Sequence, residues 1–187
     1  MPTYTLTSIK TFRGTDGYGL NANLCCDGVK VAYVIDEGNG GCINYEWLNW
    51  ARGEGRVDVT VRDWKDENAR RTYKGTRHEA AFQEYVLSLP KMAPCEYFPE
   101  GRYQDADGFI ARLADMAEMD AKMKRLLKAN LIFVCKDDKA GGFRTVSLKK
   151  AGEMERAREY VAKKYPTGVT IVNDLPIEKQ REILIAE

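Results

Sequence analysis

The segment LNANLCCDGVKVAYVI, residues 20–35, decides the fold. Asp27 and Gly28 stand between two extended runs and are residue types that tolerate the positive φ of a two-residue hairpin turn. Counting outward from that turn pairs Cys26 with Val29, Leu24 with Val31, Ala22 with Tyr33 and Leu20 with Ile35 on one face. The other face pairs Cys25 with Lys30, Asn23 with Ala32 and Asn21 with Val34, and is more polar. Side chains alternate along a strand, so a slip of one residue would exchange the two faces. Turn and pattern therefore agree on an antiparallel hairpin with one buried side.

Working outward, residues 4–12 are rich in Thr, Ile and aromatics and predict a third strand. Its alternation breaks between Leu6 and Ile9, which predicts a bulge. Gly14, Gly17 and Gly19 precede the hairpin and Gly38, Gly40 and Gly41 follow it, so chain reversal brings both glycine loops to one end of the strand pair. Residues 43–50, with Tyr45, Trp47 and Trp50, read as a short helix, and the alternating Val57, Val59 and Val61 as a strand.

Helical periodicity starts at Glu79, carries Phe82, Tyr85, Val86 and Leu89 on one face, and stops at Pro90. Residues 91–104, with Pro94, Pro99 and Gly101, read as a loop. From Asp107 as N-cap, Ile110, Leu113, Met116, Met123 and Leu127 continue a long amphipathic helix whose acids come first and bases last, the order the helix dipole favours. A second hairpin over residues 131–148, a helix with Met154, Ala157, Val161 and Tyr165 on one stripe, a strand at 169–172 and a short helix opened by Pro176 complete the chain. The expected architecture is one α+β domain spanning residues 1–187. An antiparallel sheet built on the N-terminal hairpin carries helices on one side, with a seam at 90–104.

Composition narrows the function classes. Apolar residues make up 44% and charged residues 30% of the chain, enough to build a core. The 29 bases and 28 acids almost cancel, so the molecule as a whole has little field to draw it to a polyanion or a membrane, and charge-driven binding must come from a local patch. The first residues lack the pattern of a signal peptide and no apolar run is long enough to span a bilayer, so the expected location is cytoplasmic. Cys25, Cys26, Cys42, Cys95 and Cys135 form no C-x-x-C pair, which points to free thiols and no metal site.

The candidate constellations are few. The glycines at 14, 17 and 19 lead into a strand and not a helix, so they read as turn formers, not a phosphate cradle, and no cofactor is expected. The acids around Asp36 and Glu37 lack EF-hand spacing. His78 is the one histidine, so a catalytic arrangement uses it or does without histidine; the best arrangement for an enzyme would set it as a base beside a carboxylate such as Asp36 or Glu37, with no nucleophile motif to support it. Arg70, Arg71, Tyr73, Lys74 and Arg77 form the most basic short window and could clamp phosphate and stack a base, although Asp63, Asp66, Glu67 and Glu79 flank it. Tyr45, Trp47, Trp50 and Trp64 form an aromatic group with two readings: partner anchors if exposed, core of a small sheet if buried.

The runs from Ile9 to Gly14, Gly19 to Gly28 and Val31 to Gly41, together with residues 133–172, resemble small uncharacterised proteins of tailed bacteriophages and prophages. That resemblance implies an accessory protein of the bacterial host cytoplasm that acts by binding and neutralising a host protein or a nucleotide ligand. The alternative is a small nucleic-acid-binding module using residues 70–77. A final expectation concerns association. Ile183, Leu184 and Ile185 spread over about 200° of a short terminal helix, so one of them should stay uncovered unless the tail meets another chain, and a homodimer through this tail is expected.

Overall fold

The computed structural model describes residues 1–48, 55–63, 66, 68–139, 141–150 and 152–185. It is an α+β fold with antiparallel sheets and helices packed against them. The chain divides into two compact units, Met1–Asp115 and Met116–Glu187, so the division falls inside a helix; residues 90–104 lie within the first unit. Among the described residues no helix is long and apolar enough to cross a membrane.

The first unit is built on a four-stranded meander, β1 (Tyr4–Arg13), β2 (Tyr18–Cys26), β3 (Val29–Asp36) and β4 (Asn44–Trp47). The turn between β2 and β3 is as expected, with Asp27 at φ 49° and Gly28 at φ 80°. The β1 bulge also occurs, between Thr7 and Lys10, with Ser8 at φ 54°. The hairpin register needs correction. Cys26 pairs with Val29 and Cys25 with Lys30, but a second bulge then leaves Val31 unmatched, so Leu24 opposes Ala32, Asn23 opposes Tyr33 and Ala22 opposes Val34. The bulge turns Ala32 and Val34 to the core beside Ala22 and Leu24 and sends Tyr33 and Ile35 outward. Simple alternation cannot see this, because both Val31 and Ala32 are buried.

Residues 43–50 are not helical up to Leu48: Asn44–Trp47 is a strand on β3, with Ile43, Tyr45 and Trp47 packed at period two against the core. The two glycine loops meet as expected, with Asp16 N donating to Gly38 O at 2.8 Å. A Cβ on Gly14 would stand 2.3 Å from Gly38 O, so this approach of backbone to backbone requires glycine.

The basic window is a strand: β6 (Arg70–Gly75) pairs with β5 (Val57–Arg62) as a separate hairpin. α1 (Arg77–Ser88) follows at once, started by a capping box in which Thr76 Oγ1 accepts from Glu79 N and Thr76 N donates to the Glu79 carboxylate. Phe82 and Val86 of α1 join Phe109 and Ile110 of α2 (Ala106–Ala129) over the inner sheet face. Asp107 is not the N-cap of α2. Asp105 holds that position and accepts from Gly108 N at 2.7 Å, which frees the Asp107 carboxylate to accept from Tyr45 Oη and Ile43 N.

The second unit holds a three-stranded antiparallel sheet in the order β8 (Arg144–Ser147), β7 (Asn130–Cys135), β9 (Val169–Ile171). α3 (Glu153–Lys164) connects β8 to β9 past the central β7, a split β-α-β unit. Leu131, Phe133 and Cys135 face Ala157 and Val161 of α3, while the fully buried Ile132 points to the opposite face. A 3₁₀ turn (Val172–Asp174) leads to α4 (Ile177–Leu184). Asn173 fastens this region, donating to the carbonyls of Leu127 and Asn130 and accepting from Ile132 N.

Candidate ligand-binding pocket

A concentration of aromatic and cationic groups lies in the second unit, where β7, β8 and α3 line an open depression of about 480 Å³, within the range of small-ligand sites. Phe133 and Val146 form its apolar part, and Arg144, Thr145, Tyr160, Lys164 and Tyr165 its polar part. Each side chain has a local reason to be there. The turn after β7 brings Asp138 back to accept from Cys135 N at 2.7 Å, and the same carboxylate takes Arg144 through Nε at 2.9 Å and Nη2 at 2.7 Å. The guanidinium is thereby fixed with its carbon 5.1 Å from the centre of the Tyr165 ring, which itself packs on Phe133 at 5.4 Å.

From α3, helical spacing sets Tyr160 and Lys164 one turn apart on the same side. Lys164 Nζ donates to Tyr160 Oη at 3.0 Å and lies 5.4 and 5.6 Å from the ring centres of Tyr160 and Tyr165. The hydrogen bond to the Tyr160 hydroxyl holds this ammonium charged above the usual lysine range. The Asp138 carboxylate, with Tyr165 second, raises the Arg144 guanidinium above the ordinary arginine value. Among the described residues no carboxylate forms an ion pair with Lys164. The helix terminus adds about half a negative charge, less than the full charge of Lys164, so an anion still meets a net positive rim.

The residues singled out by sequence lie elsewhere. Tyr45 and Trp47 belong to the core of the first unit: their rings stack at 5.6 Å and 7°, and Phe82 lies 6.1 and 5.8 Å from them. Trp50 and Trp64 lie outside the described residues. Arg70, Arg71, Tyr73 and Lys74 are exposed along β6, and Arg77 opens α1. Acids meet part of that charge: Lys74 pairs with Asp58 at 2.7 Å and Arg71 with Asp63 at 3.8 Å, and Tyr73 Oη donates to Glu79 at 2.8 Å. His78 sits half-buried in the first turn of α1, while Asp36 accepts from Gly38 N and Glu37 from the Asn39 amide. Among the described residues no group of three or more His, Cys, Asp or Glu is arranged to hold a metal. Leu184 and Ile185 of the C-terminal segment line a separate apolar depression with Met119, Met123 and Leu126.

Sequence reasoning missed Arg144, Tyr160 and Lys164. The usable signal was the i, i+4 pair of Tyr160 and Lys164 followed by Tyr165, which puts two rings and a cation around one helix end. No protein-family model, curated protein or solved structure matches the chain.

Proposed function

We propose that this chain is a binding protein whose second unit takes a small ligand carrying both a planar ring and an anionic group, the chemistry of a nucleotide. The observation that carries the reading is Lys164, a charged ammonium set between the rings of Tyr160 and Tyr165 with no carboxylate partner among the described residues, opposite the anchored Arg144. Tyrosine faces supply stacking worth about 1–3 kcal/mol per base, and the two cations supply hydrogen bonds to phosphate. Exposed charges add little by themselves, so the expected affinity is about micromolar to millimolar. In the setting that the phage resemblance implies, such a protein would sequester a nucleotide of the host.

Titration of isotope-labelled full-length chain with AMP, GMP, a cyclic dinucleotide and inorganic phosphate tests the reading. Nucleotide should shift the amide signals of Arg144, Thr145, Tyr160 and Lys164, and Tyr160→Ala or Lys164→Ala should weaken binding about tenfold. Silence of these signals at millimolar nucleotide, or equal affinity in both variants, would overturn it.

A further inference from the structure

The outer face of the four-stranded sheet in the first unit is a second binding surface of different chemistry. Because Ala22, Leu24, Ala32 and Val34 point inward, the registers send Lys10 and Phe12 of β1, Asn21 and Asn23 of β2, Lys30 and Tyr33 of β3, and Asn44 and Glu46 of β4 to the other side. Among the described residues, Phe82 and Val86 of α1 and Phe109 and Ile110 of α2 pack on the inner face, and on the outer one Phe12 remains 40% and Tyr33 45% exposed.

We infer that this face binds single-stranded nucleic acid. Three features fit that occupant. First, two aromatic rings stand on an open sheet. Cε2 and Cζ of Phe12 occupy the space where a Cβ on Gly19 would stand, 2.6 Å from each, so the ring lies against the strand backbone and presents its far side to solvent. Covering a sheet glycine accounts for a large apolar side chain there; it does not account for Tyr33, which opposes Asn23. Gly19 and Asn23 are four residues apart on β2, so the two rings are separated by about 13 Å along the strands and about 10 Å across them, room for a run of bases in place of one ligand held between two rings.

Second, the amide groups of Asn21 and Asn23 lie on the same face between these rings, and among the described residues neither has a hydrogen-bonding partner. An amide carries both donors and acceptors and can meet the edges of unpaired bases. Third, the charge complements a phosphate backbone. Lys10 and Lys30 oppose the single carboxylate of Glu46 among the described residues of this face. Lys30 Nζ lies 2.9 Å from the centre of the Tyr33 ring. A base that stacks on Tyr33 displaces it toward the flanking phosphate. A duplex fits poorly, since its bases are already stacked and its rigid backbone cannot follow the twist of the sheet.

Fluorescence anisotropy of the full-length chain with labelled ten-nucleotide oligothymidylate and oligouridylate, at low salt, tests the inference. Binding should weaken about tenfold in Tyr33→Ala and in Phe12→Leu, the latter keeping the cover over Gly19 while removing the π face. Glu46→Gln should strengthen it, and log K should fall with log salt at a slope of about −1.4, two phosphates neutralised on a single strand. Lys74→Ala on β6 and Lys164→Ala in the second unit should leave it unchanged, which separates this face from the basic hairpin and from the nucleotide pocket. No binding of either oligomer, binding insensitive to both ring variants, or equal affinity for a duplex would overturn it, whatever the outcome at the Lys164 pocket.

Discussion

The two units of this chain are held by different chemistry. The first packs Tyr4, Phe82, Tyr85, Phe109, Tyr45 and Trp47 ring against ring, at centroid distances between 4.9 and 6.1 Å, over the inner face of its meander. The second has a smaller core of Leu131, Phe133, Cys135, Ala157 and Val161 and surrounds it with polar fasteners. Arg144 binds Asp138 and Arg158 binds Asp174, each through two nitrogens, Arg181 does the same with Asp120, and Asn173 makes three bonds to backbone. A small core cannot supply enough buried apolar area by itself, so directed polar contacts carry more of the specification. At the surface of this unit Tyr160 and Lys164 remain exposed beside the fixed Arg144.

The largest test of this contrast is Phe82→Ala. Phe82 is fully buried and touches rings from β1, β4 and α2, so its loss should cost about 3–5 kcal/mol, read by urea denaturation. A cost below about 1 kcal/mol would show that the aromatic cluster is not what holds the first unit. In the second unit, Asn173→Ala strands two carbonyls and one N–H in a half-buried site, and should cost about 2–3 kcal/mol. Replacement by aspartate should not restore stability, because a carboxylate cannot donate to the carbonyls of Leu127 and Asn130.

Opposite responses to pH sharpen the comparison further. Burial pushes the hydroxyls of Tyr4 and Tyr45 far above the ordinary tyrosine range, with Cys26 and Asp107 respectively adding to the effect. A raised folded value means that the stabilisation is fully present below the unfolded value of about 10 and is lost as pH rises beyond it. The carboxylates of Asp120 and Asp174 are held low by hydrogen bonds from Arg181 and Arg158, and Asp138 by Cys135 N–H and then Arg144. Their contribution is present above the unfolded carboxylate value of about 3.9 and is lost as pH falls through the depressed folded values. Methyl signals of Leu24 and Val34 should therefore broaden first in alkali, and those of Leu131 and Val161 first in acid. Simultaneous loss at both extremes would erase the distinction. The smallest expected effect is Lys74→Ala. Its pair with Asp58 is exposed on both sides, and thermal unfolding should register a change of less than about 0.5 kcal/mol.

The sequence by itself determined the local devices: the Asp27-Gly28 turn, the bulge after Leu6, the helix ended by Pro90 and the stripe of Met154, Ala157, Val161 and Tyr165. Each rests on residues close together in the chain, where φ preference and side-chain period act directly. Other features waited for the tertiary structure. The bulge at Val31 was illegible because Val31 and Ala32 are both buried in the same core, so the apolar pattern alone does not show which of them is left without a partner on β2. Residues 44–47 could be a strand only because β3 offered its edge to Tyr45 and Trp47. The pocket was hidden for the same reason. Phe133, Arg144 and Lys164 are spread over three elements of a split β-α-β unit, and no spacing along a chain reports which residues a crossover brings together.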